Sequence, residues 1–242
     1  RTVVFSRSKA WTDAGSRGYQ MLLRDGHLST SLIHFWPGNA INIRTTAKLP
    51  KNEWHHVTIT YDGSTRAGGL AIYVDGKPAD TDIHKDNLYK NITGGGNDHI
   101  VIGQRFRDVG FAKGLVDDFR VFDRELTAAE VAQLHDGQAL AKLLAKPADA
   151  LGQAERDALR SYYFATANES HTKQLTKLRA AREKVTQLLD GKTEIMVMEE
   201  MKVKPRSTFV LNRGVYDQRG ERVGPEPPAI LPPFPKGAPR NR

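Results

Sequence analysis

The 242-residue chain contains no cysteine. That excludes disulfides, a thiolate nucleophile, Cys-ligated zinc and haem attached through C-x-x-C-H, and it leaves the compartment open. No apolar run approaches the roughly 18–20 residues that a membrane-spanning helix requires. The opening stretch "RTVVFSRSKAW" has no initiator methionine and lacks the apolar centre of a signal peptide. With the abrupt close "GAPRNR", this leads us to expect a piece of a longer polypeptide whose targeting signal lies elsewhere. There is no G-x-S-x-G and no H-E-x-x-H, and "TGGGND" is not followed by Gly-Lys-Ser/Thr, so these motifs of nucleophilic, zinc-protease and phosphate-binding chemistry are missing.

Charge is present but uneven. Residues 1–137 carry 17 Lys+Arg against 16 Asp+Glu, whereas residues 138–242 carry 19 against 12, so the net charge of +8 belongs almost wholly to the second half. A basic segment can meet nucleic acid, anionic lipid or an acidic partner. Here the cations alternate with acids along helical patterns, which reads as a solvated helix face. No aromatic platform is interleaved with them, so nucleic acid is not expected as a partner.

Up to about residue 123 the chain is written in short β-branched and aromatic runs between Gly, Asn, Asp and Pro clusters. The predicted strands are "TVVFSR", "YQMLLRD", "HLSTSLIHFW", "AINIRTT", "HHVTITYD", "LAIYVDG", "HIVIGQR" and "LVDDFRVFD". Strand alternation puts Val57, Ile59 and Tyr61 on one face and His56, Thr58 and Thr60 on the other. Asp75-Gly76 is a strong hairpin signal, because a type I′ turn needs positive φ at both central residues, so 70–74 should pair with a strand beginning near Lys77. Adjacent His55 and His56 point to opposite faces, which disfavours joint chelation of one ion. Hydrogen bonds at a sheet margin are the expected role for either.

From Thr127 the period changes. Thr127 followed by Glu130 fits a capping box, Val131 and Leu134 give a short apolar face, and Gly137 can end the helix. "QALAKLLA", "GQAERDALRSYYF" and "HTKQLTKLRAAREKVTQLLD" continue as helices, the last two joined near "ATANES" as an antiparallel hairpin. In the longest, Leu175, Leu178, Val185 and Leu188 or Leu189 form a stripe that should pack on something. Eight of the twelve prolines fall in residues 205–242, which forbids regular helix there and favours extended chain. "TFVLNRG" could add one strand to a neighbour.

"WHHVTITYDGS", "IYVDGKPA", "IGQR" and "GLVDDFRVFDRELTAAEVAQL" resemble the closing half of a laminin-G-like, concanavalin-A-type jelly roll over about residues 1–137, and its first strands are expected to be missing. "SLIHFWPGNAINIRT" and the tail from about Met196 are similar to large planctomycete-type extracytoplasmic proteins. In those, a cytochrome-c-like module and two domains of unknown function flank such an insert. The resemblance implies an extracytoplasmic location, whether periplasmic or at the cell surface, with neighbouring domains of the same polypeptide as partners. The haem-binding module is absent from this stretch, so haem is not expected here. It also implies a carbohydrate or glycoprotein ligand, often with calcium.

For a sugar, a flat aromatic should stack on pyranose C–H groups while polar side chains take the hydroxyls. His34, Trp36, Asn39 and Arg44 offer such a set. The competing reading puts Trp36 in the core and His34 on a backbone carbonyl. For calcium, Asp86, Asn97 and Asp98, with Asn87 and Asn91 nearby, supply hard oxygens, although their spacing fits no defined loop and turns use the same residues. A jelly-roll glucanase would need convergent carboxylates of the E-x-D-x-x-E kind, and none is written. Asp117 and Asp118 are adjacent and face opposite ways, and Asp118 should pair with Arg120.

The expected architecture is mainly β: an antiparallel jelly-roll sandwich over 1–137, a helical hairpin over 138–192, and a Pro-rich extended segment over 193–242 that begins a truncated domain. The expected function is non-catalytic recognition of carbohydrate or glycoconjugate inside a larger exported protein. A purely structural spacer is the alternative, and a jelly-roll glycoside hydrolase ranks third.

Overall fold

The computed structural model describes residues 1–8, 17–93, 99–105, 109–195 and 206–237. Its contacts group into two units, Arg1–Lys192 and Thr193–Arg242. In the first, β1 (Thr2–Ser8), β2 (Gly18–Arg24), β3 (His27–Phe35) and β4 (Asn39–Thr45) make the centre of a large sheet. A second sheet is built from β5 (Val57–Tyr61), β6 (Leu70–Val74) and β7 (Lys77–Pro78), after which β8 (Thr81–Asn87) and β9 (Val101–Ile102) return to the edges of the first. The six strands of the first sheet run β8-β4-β3-β2-β1-β9, those of the second β5-β6-β7, and the strand pairings are antiparallel. One isolated parallel bridge joins Val3 to Gly110.

Alternation decides which face of each strand meets the other layer. Register places Tyr19, Leu32 and Ile41 in one row and Met21, Thr30 and Ile43 in the next. Leu28, Leu32, Ile41 and Ile43 from the large sheet pack with Leu70 and Ile72 from the small one, flanked by Val57, Ile59 and Tyr61, the face predicted for β5. Ile41, Ile43 and Ile72 are at most 1% exposed, each stabilising the sandwich by about 2 kcal/mol relative to an exposed side chain. The Asp75-Gly76 turn has φ of 50° and 76°, the double positive φ that the hairpin requires.

β8 was not foreseen. Its run "TDIHKDN" is largely polar and carries no apolar alternation, yet it pairs with β4 from Ala40–Asn87 to Thr45–Thr81 as an edge strand. The reverse holds for "LVDDFRVFD", predicted to be the last strand. Residues 115–123 join no ladder among the described residues, and Leu115 and Val121 are exposed. Asp118 sits at φ 50°, a left-handed conformation that interrupts a ladder. Its expected pairing with Arg120 is present at 2.9 Å, and Phe119 meets Phe5 edge-on at 5.3 Å.

Four helices follow: α1 (Ala128–Asp136), α2 (Ala139–Leu144), α3 (Gln153–Thr166) and α4 (Glu169–Asp190). α1 begins with the predicted capping box between Thr127 and Glu130 and ends at Gly137 in the left-handed conformation. Its Val131 is fully buried. α3 and α4 pack together as the expected hairpin, joined by Ala167 and Asn168, with Asn168 Oδ1 accepting from the His171 N–H at 2.8 Å.

The second unit contains a hairpin of β10 (Thr208–Leu211) and β11 (Arg219–Val223). "TFVLNRG" thus pairs with the charged run "RGERV" that follows it, and the Arg219 guanidinium lies 5.4 Å from the centre of the Phe209 ring. Residues 224–237 hold neither helix nor strand, as their prolines dictate.

Candidate functional site

The face of the large sheet turned away from the small one has a polar centre, bordered by the buried apolar side chains of Val3, Leu22, Ile33 and Ala40. Register aligns Gln20 with Ser6 and Ser31, and Asn42 with Ser31 and Lys85, while Ser29 faces Arg44. Alternation therefore brings Gln20, Ser29, Ser31, Asn42 and Arg44 to one surface. Asn42 Nδ2 lies 2.9 Å from both Ser29 Oγ and Ser31 Oγ and 2.7 Å from the Thr30 carbonyl. Gln20 Nε2 donates weakly to Ser31 Oγ at 3.5 Å, and Arg105 Nη1 donates to Gln20 Oε1. Gln20, Ser29, Ser31 and Asn42 are only 7%, 2%, 2% and 4% exposed, so a ligand would meet the margin of this surface before its floor. At that margin stands Arg44, half-buried, its Nε shielded from solvent and without a hydrogen-bond partner among the described residues. A buried donor left unmatched is costly, and a ligand oxygen would satisfy it.

Of the four sequence-predicted ligand residues, His34, Trp36 and Asn39 sit together at the tip of the β3–β4 hairpin, where Trp36-Pro37 is cis. Arg44 lies five residues along β4 from Asn39, roughly 17 Å away, and on the opposite face. Asn39 Oδ1 accepts from the N–H groups of Tyr89 and Lys90 at 3.0 and 3.4 Å, which holds the next loop. His34 Nδ1 donates to the Asn91 carbonyl at 2.6 Å, in line with the backbone-bonding alternative. Trp36 is half-buried and outside the main core cluster, next to Phe35, which is 55% exposed. Asn87 Nδ2 donates to the Gly38 carbonyl at 2.6 Å.

Of the proposed calcium ligands, Asp86 is already engaged, its Oδ1 accepting from the Ala67 N–H at 2.7 Å. Asn97 and Asp98 lie outside the described residues, among which no group of three or more potential metal ligands converges. His55 and His56 do not converge either. Asp75 ties them down, its Oδ2 accepting from His55 Nδ1 at 2.9 Å and its Oδ1 from the His56 N–H at 2.8 Å. Burial pushes the Asp75 carboxyl up, but these two hydrogen bonds outweigh it and hold the group below its ordinary value. Burial of His56 and the nearby His135 ring push the His56 imidazole down.

Residues 1–132 match a laminin G family model described as the concanavalin A-like lectin/glucanases superfamily. The chain belongs to this superfamily. A solved fragment of an S-layer domain-containing protein from Clostridium thermocellum is similar at 20% identity and a TM-score of 0.30, over 56% of this chain and 63% of that one. The chain thus spans less than two thirds of that fragment, and the superposition is too loose for comparing sites. No curated protein matches the chain. Apart from Arg44, the polar residues found here were missed individually in the sequence. The signal was there: Gln20, Ser29, Ser31, Asn42 and Arg44 occupy the polar positions of a period-two pattern in three consecutive strands.

Proposed function

We propose that this concanavalin A-like domain is a non-catalytic recognition module for carbohydrate or glycoconjugate. The observation that carries the reading is the hydroxyl- and amide-lined sheet face with the unmatched Arg44 Nε at its margin. Sugar hydroxyls both donate and accept, and such a surface answers them with short polar side chains on a rigid sheet. Hydrolysis would call for two carboxylates flanking the scissile bond, roughly 5–9.5 Å apart. Among the described strands of this face the register supplies one, Asp82 opposite Arg44, which favours binding over cleavage. The proposal includes a place outside the cytoplasm, where polysaccharide is met, within a larger exported polypeptide of the kind the tail resembles.

A structural role is the second reading. It is favoured by the internal satisfaction of Asn42, Ser29 and Ser31, which need no ligand to complete them.

Glycan-array and insoluble-polysaccharide binding by the whole chain, compared with Arg44→Ala and Trp36→Ala, tests the proposal. Binding that is lost in Arg44→Ala at unchanged melting temperature is expected. Loss in Trp36→Ala alone would move the site to the hairpin tip, and no binding to any glycan would favour the structural role. Release of new reducing ends would overturn the non-catalytic reading.

A further inference from the structure

Helix α4 has two sides with different fates. One is fastened to the sandwich: Arg182 Nη1 donates to the Asp62 carbonyl at 3.0 Å, and Asp190 Oδ1 accepts from the Asn91 N–H at 3.0 Å. Lys90 Nζ reaches the Lys192 carbonyl just beyond the helix, also at 3.0 Å. The other side is apolar and solvent-facing. Leu178, Val185 and Leu188 are 44%, 56% and 72% exposed, and Ala181 is exposed between them.

Spacing and charge say what would cover this stripe. Positions 178, 181, 185 and 188 are separated by three, four and three residues. That is the seam spacing of a coiled coil, into which a facing helix inserts its own side chains. Lys177 and Lys184 stand at the flanking positions on the open side, whereas Glu169, Glu183 and Asp190 project from the far side of the helix. A second copy docked on this stripe would bring Lys177, Arg182, Lys184 and Leu189 as its own flanking residues, setting cation against cation in either orientation. A flat anionic membrane suits the face poorly, because the flank bearing Arg182 is turned into the protein.

We propose that the Leu178–Ala181–Val185–Leu188 stripe of α4 is a docking face for an acidic amphipathic helix of a partner protein, with Asp or Glu opposite Lys177 and Lys184. The stripe is about 15 Å long, which places the interaction at the small, transient end of interfaces.

The test titrates the whole chain with a labelled helical peptide about three heptads long, carrying Leu at the seam and Glu at the flanks. A sister peptide replaces Glu by Lys, and phosphatidylcholine vesicles with about one phosphatidylserine in four serve as the lipid probe. The acidic peptide is expected to bind in a salt-sensitive manner and the basic one at least about tenfold more weakly. Val185→Asp, an exposed substitution, should abolish binding at unchanged melting temperature. Lys177→Glu with Lys184→Glu should weaken the acidic peptide by about tenfold and turn the preference toward the basic one. Equal binding of both peptides, binding of neither, binding to vesicles alone, or self-association through this face would each overturn the proposal.

Discussion

The rings of His56 and His135 lie with centroids 5.7 Å apart and planes tilted by 42°, one just before β5 and the other on α1. The pair joins the sandwich to its first helix at a point where a second positive charge would be unwelcome. Burial and then His135 hold the His56 imidazole below its ordinary value, against smaller opposing effects of Asp75 and Asp118.

A folded His56 that resists protonation makes stability depend on pH in a fixed direction. The unfolded chain takes up the proton near pH 6.5, its ordinary value, while the folded chain takes it up only at lower pH. Across that window the unfolded state binds more protons, so stability rises with pH. The contribution is complete above about pH 6.5 and is lost as pH falls through the folded value. Thermal unfolding between about pH 8 and pH 5 should show this loss, and His135→Gln should reduce it. An identical slope in the variant would leave burial of His56, without His135, as the cause, whereas an identical slope in His56→Gln would assign the effect to another group.

The Thr127–Glu130 box predicts a modest, specific cost. Thr127→Ala removes the hydroxyl that accepts from the Glu130 N–H and should destabilise the chain by about 1 kcal/mol in urea unfolding, while Thr127→Ser should keep most of the stability. Equal losses in both variants would mean that the methyl group matters more than the cap.

Gly76 should tolerate no side chain. Its φ is 76°, and a Cβ there would sit 3.1 Å from His135 Cβ and 3.3 Å from Ala132 Cα. Gly76→Ala is expected to cost about 1–2 kcal/mol from the backbone alone, with crowding of α1 added. Gly38→Ala, where a Cβ meets nothing within 4 Å, should be near neutral, and calorimetric unfolding of both variants checks the contrast.

On the polar face, Asn42 holds two serines and a backbone carbonyl at once. Asn42→Ala should destabilise by about 1–3 kcal/mol, since it strands the buried hydroxyls of Ser29 and Ser31. A smaller loss would mean that those hydroxyls turn to other acceptors.

The parts of this fold that were legible in the sequence are those set by neighbouring residues. Asp75-Gly76 needs only its own φ angles to make a hairpin, Thr127 and Glu130 cap a helix across three residues, and Val57, Ile59 and Tyr61 alternate. What stayed hidden depends on distant partners. "TDIHKDN" becomes a strand because β4 offers it an edge, and "LVDDFRVFD", with the better pattern, joins no ladder among the described residues, its run interrupted by the left-handed backbone at Asp118. The candidate site divides in the same way. Trp36 and His34 stood out as residue types, whereas Gln20, Asn42 and Arg105 acquire meaning only once strands far apart in the sequence are set side by side.

Asn91 accepts a hydrogen bond from His34 at its carbonyl and donates one from its own N–H to Asp190, 99 positions further along. The end of α4 therefore clamps the loop on which the β3–β4 tip leans. Trimming the chain where the family match stops, at residue 132, would cut through α1 and discard that clamp. Anyone seeking crystals or a minimal binding fragment should carry the chain through Lys192, because the recognisable domain is shorter than the piece that holds its own rim in place.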